Sequence, residues 1–388
     1  MNTNPINQTE ISRQAKKQKR PRTPRLPAKA PSPAPTEPAD LIKIGVDVGL
    51  NKYAYCRQVD GSLAERPRAS DPERFRSFAL AQKQLGKRVV VCYEAGLFGF
   101  ELARWLIEQG MECLVMAPVK LDEGNKRVEN DALNAQDILS RLDRYWAGNT
   151  RALTVCRIPT RAEELARAQT RQRGQLGEAS RRIQAQGRSL LWEFGYLEEG
   201  KAAWWEEKVW EKLEGRLEAT VAGNLRRWRA VLKGLEEQFQ ALNDALQQQA
   251  KAEPPGGLKR LPLGVGWLSM LLLCREIMDW KRFTNRRQVG SFIGLVPSEA
   301  STGESFRQGS VTKVGNPRIR AILVEMAWRL VRLQPTYHAV KKWEVMLCNP
   351  RAGQRVRKRA IVAVARVLAI DLWRLVTGQT TAEKLGLV

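Results

Sequence analysis

Leu41-Ile-Lys-Ile-Gly-Val-Asp-Val-Gly49 reads as a buried strand with a carboxylate near its end. A short apolar run bounded by glycine suits a strand better than a helix. Asp47 stands out in it, because a carboxylate among Ile and Val is costly to bury without a partner. Outward from this strand, 53–59 reads as the second strand of a hairpin, with Asp60-Gly61 as the next turn. A helix is predicted over 71–85. Arg88-Val-Val-Val-Cys-Tyr-Glu94 is another buried strand, and it ends in Glu94. A helix over 99–108, a strand over 112–116 and a helix over 130–145 follow, the last carrying Asp131, Asn134 and Asp137. The order β-β-α-β-α-β-α predicts an α/β domain over 41–158.

Asp47 and Glu94 end strands, and Asp131 starts a helix. Ligands gather at strand ends in open α/β sheets. Hard oxygen donors there suit Mg²⁺ or Mn²⁺, and Mg²⁺ suits phosphodiester chemistry. The plainer alternative is that Asp131 caps its helix and Glu94 is a surface acid.

Composition narrows the partners. The chain has 388 residues, enough for two or three domains. Lys and Arg total 65 against 41 Asp and Glu, a net charge of +24, which points to a polyanion and by default to nucleic acid. No apolar run is long enough to span a bilayer. The polar, proline-rich start carries no secretory signal. The six cysteines are scattered with no C-x-x-C pair, which argues against zinc and disulfides and for reduced thiols in an intracellular protein. The single histidine, His338, reads as an ordinary helical residue and argues against histidine-based catalysis.

Residues 1–40 form a basic, proline-rich stretch expected to be disordered and to touch nucleic acid or simply solubilise. From 159 to 253 the chain turns rich in Arg, Gln, Glu, Leu and Ala. Leu165, Gln169, Gln172, Leu176, Ile183 and Leu190 fall near one helical face. A tryptophan-rich break (Trp204, Trp205, Trp210) precedes a second helical stretch. A long helical hairpin or coiled coil follows, for dimerisation or for a basic nucleic-acid face (Arg171, Arg173, Arg181, Arg182, Arg188). Pro254-Pro-Gly-Gly257 is a hinge. Gly264-Val-Gly266 can present backbone N–H groups to a phosphate, a weak signal by itself. The rest, 254–378 with a short tail over 379–388, is predicted to be helical and basic.

Within that part, Ser301 and Thr302 stand beside Gly303, and Arg307, Lys313, Arg318 and Arg320 follow. Hydroxyl, glycine and cations suit a phosphate-handling loop, with a hydroxyl as nucleophile and arginines as clamps. A Gly-rich surface loop with solvated charges fits the same residues.

The combination of Asp47, Glu94 and Asp131 with Arg286-Arg-Gln-Val-Gly-Ser-Phe-Ile-Gly-Leu-Val-Pro297, Ser301-Thr-Gly303 and Lys313-Val-Gly-Asn-Pro-Arg318 resembles the DEDD transposases of the insertion-sequence one-ten / eleven-eleven family. That family includes pilin-gene inverting recombinases, and the resemblance runs over 41–378. It implies an RNase H-like (RuvC-like) N-terminal domain whose four acids bind divalent metal. It also implies a mainly α C-terminal domain whose serine forms a covalent link to DNA, with Arg286, Arg287, Arg307, Lys313, Arg318 and Arg320 near phosphates. Partners implied are element-end and target DNA, a structured guide RNA and further copies in a homodimer or homotetramer, in the bacterial cytoplasm at the nucleoid. The chain departs from the pattern twice. The last acids of the family form Asp-x-x-Asp, and here Asp131 is followed by Asn134, which ligates through a carbonyl with less charge. Asp137 lies about 120° around the helix from Asp131, which argues against it as a substitute. The hydroxyl before Gly303 is Thr302, and Ser301 is the better nucleophile because a secondary hydroxyl is more hindered. The expected function is DNA strand cutting and rejoining. The alternatives are a metal-dependent nuclease or junction resolvase, and a non-catalytic nucleic-acid-binding copy.

Overall fold

β1 (Ala39–Val48) holds the 41–48 run near the middle of a six-stranded sheet. The computed structural model describes residues 38–118, 130–299 and 308–388, and the basic tail before Pro38 lies outside them. The chain divides between Ile158 and Pro159 into two units.

In the first unit β2 (Tyr53–Val59) pairs antiparallel with β1, with Asp47 opposite Ala54. β3 (Arg68–Ser70) extends that side, a strand too short for its sequence to announce. α1 (Pro72–Leu85) starts at Asp71, whose carboxylate accepts from the Arg74 N–H. β4 (Gly86–Glu94) pairs parallel with β1 on its other side. α2 (Glu101–Glu108), β5 (Glu112–Met116), α3 (Asp131–Trp146) and β6 (Val155–Cys156) complete the unit, giving the sheet order β3-β2-β1-β4-β5-β6.

Strand alternation sorts β1 into two faces. Ile42, Ile44 and Val46 pack with Phe75 and Ala79 of α1 and Leu102 and Leu106 of α2. The other face meets α3, whose Ala135, Ile138, Leu139 and Leu142 pack on Ala54, Cys56, Val90 and Cys92. Along this second face β1 and α3 run in opposite directions. Lys43 Nζ reaches Asp143 Oδ1 at 2.5 Å. Gly45 lies under the α3 backbone, where an added Cβ would stand 2.5 Å from Leu139 N and 2.6 Å from Ala135 O. Asp47 meets Asn134. The missing side chain at Gly45 is what lets the helix come this close.

The second unit opens with α4 (Arg161–Glu193), which starts in a capping box formed by Thr160 and Glu163. α5 (Glu207–Leu213) occupies the tryptophan-rich break, and α6 (Ala219–Ala252) returns antiparallel along α4. The two helices form a hairpin within one chain. Its seam coincides only in part with the apolar face read from the sequence: Ile183 and Leu190 pack against a cluster of Leu191, Trp204, Leu225 and Leu232, whereas Leu165 is exposed. Arg173 stacks over Phe239 at 4.7 Å and donates to Asn243, and Gly187 sits against the buried ring of Trp204. Toward the start of α4 the contacts turn polar, which is where the hydrophobic periodicity fades.

A turn over Pro255–Gly257 leads to α7 (Trp267–Ile277) and α8 (Arg286–Ile293). Next come β7 (Pro297–Glu299) and β8 (Gln308–Val311), an antiparallel ribbon where the sequence suggested a glycine-rich loop in a mainly α region. α9 (Pro317–Leu333), α10 (His338–Cys348), α11 (Gln354–Val376) and α12 (Ala382–Leu385) close the chain. One apolar cluster unites them, with Met326 and Leu330 of α9 against Val364, Leu368 and Leu372 of α11. His338 is structural: its Nε2 stands 2.6 Å from the buried Asp371 carboxylate, which also accepts from Tyr337. All six cysteines are free thiols.

Candidate active site

The α3 side of the first sheet opens, at the C-terminal ends of β1 and β4, into a cavity of about 300 Å³. Asp47, Glu94, Asn134, Asp137 and Arg141 line it, with Met116 and Ile138 as apolar wall. Each polar group is there for a traceable reason. Asp47 lies on the face of β1 that meets α3, and Glu94 is the last residue of β4, level with Met116 of β5. Asn134, Asp137 and Arg141 are spaced i, i+3, i+7, so they share one face of α3.

Asn134 Nδ2 donates to Asp47 Oδ2 at 3.1 Å, which relieves the half-buried carboxylate. Glu94 has its pKa raised, chiefly by burial at the cavity wall, then by the negative charge of Asp47, with Arg141 opposing both. Glu94 therefore protonates more readily than an ordinary glutamate, and a cation entering the cavity would favour its charged form.

Asp131 lies elsewhere. It is the first residue of α3, largely exposed, and among the described residues it pairs with the exposed Lys52 at 3.7 Å. Such a pair contributes little. Asn130 caps the helix by accepting from the Leu133 N–H, and Asp131 adds negative charge at the positive helix end. The residue that shares the cavity with Asp47 and Glu94 is Asp137. Measuring it against Asp131 misplaces it, because the inward residue of this turn is Asn134, from which Asp137 lies about 60° away. The i, i+3, i+7 set was the signal in the sequence that could have found Asp137 and Arg141.

The donor set is all oxygen, the chemistry of Mg²⁺ or Mn²⁺ rather than of softer metals. Among the described residues no three acidic, histidine or cysteine side chains are grouped closely enough to cage an ion.

In the second unit, Ser301, Thr302, Gly303 and Arg307 lie outside the described residues. The ribbon flanks that stretch, with Pro297 opposite Val311 and Glu299 opposite Gln308. Gly294 and Gly315 both adopt positive φ where the end of α8 crosses the loop before α9. An added Cβ at Gly294 would stand 2.2 Å from Val314 O, so these glycines serve a backbone crossing. Arg320 is committed to the same crossing, donating to Gly315 O at 3.0 Å and Ile293 O at 3.4 Å. Lys313 and Arg318 are exposed, as are Arg286 and Arg287 at the start of α8. Asn316 caps α9 through its side-chain oxygen and donates to the buried Glu276 at 2.6 Å. Glu276 is also gripped by both arms of Arg171 from α4 at 2.9 Å. Sequence reasoning missed Glu276 because an acid in an apolar helix has no pattern around it.

Comparison with known proteins agrees with a nucleic-acid enzyme. Residues 258–342 match the family model described as Transposase IS116/IS110/IS902 family. The chain is 29% identical over 312 residues to the transposase-named protein y4rJ of Sinorhizobium fredii, covering 76% of this chain and 78% of that one. A second such protein of that organism, y4qE, is 28% identical over 370 residues, covering 85% and 87%. The transposase for insertion sequence element IS1111A of Coxiella burnetii is 30% identical over 202 residues, covering 50% and 53%. The matched family is a transposase family and these relatives are named transposases, which is consistent with a DNA transposase. The chain's C-terminal match and these relatives make it similar to transposases of the IS116/IS110/IS902 family. No helix among the described residues is long and apolar enough to cross a membrane.

Proposed function

We propose that this transposase cuts and rejoins DNA at insertion-sequence ends and targets through a covalent serine–DNA link. The observation that carries the strand-cutting part of the reading is the cavity where Asp47 and Glu94 at strand ends meet Asp137 of α3, and the serine link rests on the resemblance of Ser301-Thr-Gly303 to the family motif. The antiparallel β1–β2 hairpin beside parallel β1, β4 and β5 supports an RNase H-like assignment for this unit. Asp47 and Glu94 would hold Mg²⁺ or Mn²⁺ together with substrate phosphate, with Asn134 orienting Asp47 and Asp137 adding negative charge on the same wall. A divalent cation there would neutralise charge developing on the phosphate and the leaving oxygen. Arg141 supplies fixed positive charge at the same wall.

The Ser301 hydroxyl oxygen bonds to phosphorus as the P–O bond to the departing strand breaks. The serine proton is released and the departing oxygen takes one up. The phosphoserine ester replaces one phosphodiester link by another, so the reverse attack by a DNA hydroxyl rejoins strands without an external energy source. Target and donor choice by an element-encoded RNA, and assembly of the units across a dimer or tetramer, belong to the same reading.

The test is a denaturing-gel assay with purified protein, its co-purifying RNA, Mg²⁺ and labelled element-end DNA. A protein–DNA adduct is expected for wild type and lost in Ser301→Ala. Asp47→Asn and Asp137→Asn should each lower strand cleavage by at least about a hundredfold, whereas Asp131→Asn stays near wild type. Cleaved ends without any adduct would overturn the serine link in favour of a metal-dependent nuclease. Loss in Thr302→Ala but not Ser301→Ala would move the nucleophile. Full activity in Asp47→Asn would overturn the role of the cavity.

A further inference from the structure

We propose that the groove between α4, α6, α7 and α9 is a binding site for the phosphodiester backbone of a nucleic acid, separate from the acid cavity. The inference rests on the transposase reading and adds a place where the polymer is held. The groove has a volume of about 1070 Å³ and lies wholly within the second unit. Six cations line it, Arg171, Arg173, Arg181, Lys251, Arg318 and Arg329, against two acids, Glu178 and Glu325. Arg171 is engaged by Glu276, Arg173 by Asn243 and Arg329 by Ser269. Arg181, Lys251 and Arg318 are exposed and form no ion pair among the described residues. They come from three different helices, so their charges meet only in the folded unit.

Two further features suit phosphate rather than a protein partner. α7 begins in the groove at Gly266 and has no side-chain cap, so its first N–H groups and the positive end of its dipole face an incoming ligand. α9 begins there too, at Pro317 and Arg318. The wall of α4 carries Gly174, where an added Cβ would meet nothing within 4 Å. A mid-helix glycine costs about 1 kcal/mol relative to alanine, and no packing inside the unit requires this one. Its effect is to keep the wall low beside the cations.

The test is fluorescence anisotropy with two probes of arbitrary sequence, a DNA duplex and an RNA hairpin, at several salt concentrations. Arg181→Glu/Lys251→Glu should weaken binding at least about tenfold at about 0.1 M salt and reduce the salt slope by about 2. Gly174→Leu alters no charge and favours the helix, and it should weaken binding by obstruction while keeping the wild-type melting temperature. Lys212→Glu, an exposed cation on α5 outside the groove, is the charge control and should change affinity far less. A loss with the DNA probe alone, or with the RNA probe alone, assigns the groove to that polymer. Groove variants that match Lys212→Glu on both probes overturn the proposal. Asp47→Asn should bind as wild type and fail to cleave. If it cleaves while the groove variants lose binding, the cavity reading fails and the groove stands.

Discussion

Gly45→Ala is expected to lower the melting temperature of the N-terminal unit by about 10 °C or more and to remove strand cleavage with it. The substitution adds one methyl to a strand, where alanine is the better residue by propensity. The methyl has nowhere to go. It would stand 2.5 Å from Leu139 N, 2.6 Å from Ala135 O and 2.8 Å from Leu139 Cα, all backbone atoms of α3. Overpacking of this kind costs about 1–3 kcal/mol and more when backbone must move. Relief requires α3 to lift from β1. That would pull Asn134 and Asp137 away from Asp47 and break the Lys43–Asp143 contact at the other end of the same face. Thermal unfolding and cleavage of labelled DNA check it together. A second substitution trimming a side chain, Leu139→Ala, should not rescue, because the obstacle is the helix backbone. A variant with wild-type melting temperature and activity would show that α3 does not press on β1.

Glu276→Ala is expected to destabilise the C-terminal unit by about 3 kcal/mol, at the low end for a broken buried pair because Arg171 keeps partial access to water. Glu276 is 5% exposed and joins three parts of that unit: α7, on which it sits, Arg171 of α4, and Asn316 at the start of α9. Burial pushes its pKa up, but the Arg171 fork, Asn316 and Arg167 overcome that and hold it below the usual carboxylate range. The sign of the pH dependence follows. A depressed carboxylate contributes stability above its unfolded pKa of about 4.3, and that contribution is lost as pH falls through the lower folded value. Wild type should therefore lose this share of its stability in acid, whereas Glu276→Gln lacks it throughout and shows a flatter profile. Urea unfolding at neutral and acid pH measures the difference. Hydrogen exchange should rise at the first amides of α9, because the capping residue loses its anchor. Equal stability of Glu276→Ala and wild type at neutral pH would refute the joint.

The amino-acid sequence by itself determined most of the elements and the place of two acids. Ile44-Gly-Val-Asp47 and Val91-Cys-Tyr-Glu94 are apolar runs that can only be buried strands, so Asp47 and Glu94 were bound to end them near one another once the strands paired in parallel. The helix was legible too, over 130–145 in the sequence and Asp131–Trp146 in the structure, although its cap is Asn130 and not Asp131. Its rotation was not. Which carboxylate of α3 faces Asp47 depends on how closely its backbone approaches Gly45, a contact between residues far apart in sequence. The fold sets Asp137 on the cavity wall and leaves Asp131 outside it. The hairpin of α4 and α6 shows the same division. The helices are evident from composition, and Ile183 and Leu190 of the apolar face do pack in the seam, but Thr170, Arg173, Gly187 and a tryptophan from the connecting segment join it outside any helical apolar spacing. Local propensity acts within a few residues and is written in the chain. Side-chain partnership at long range is set by the packing of whole elements, so only the tertiary structure decided it.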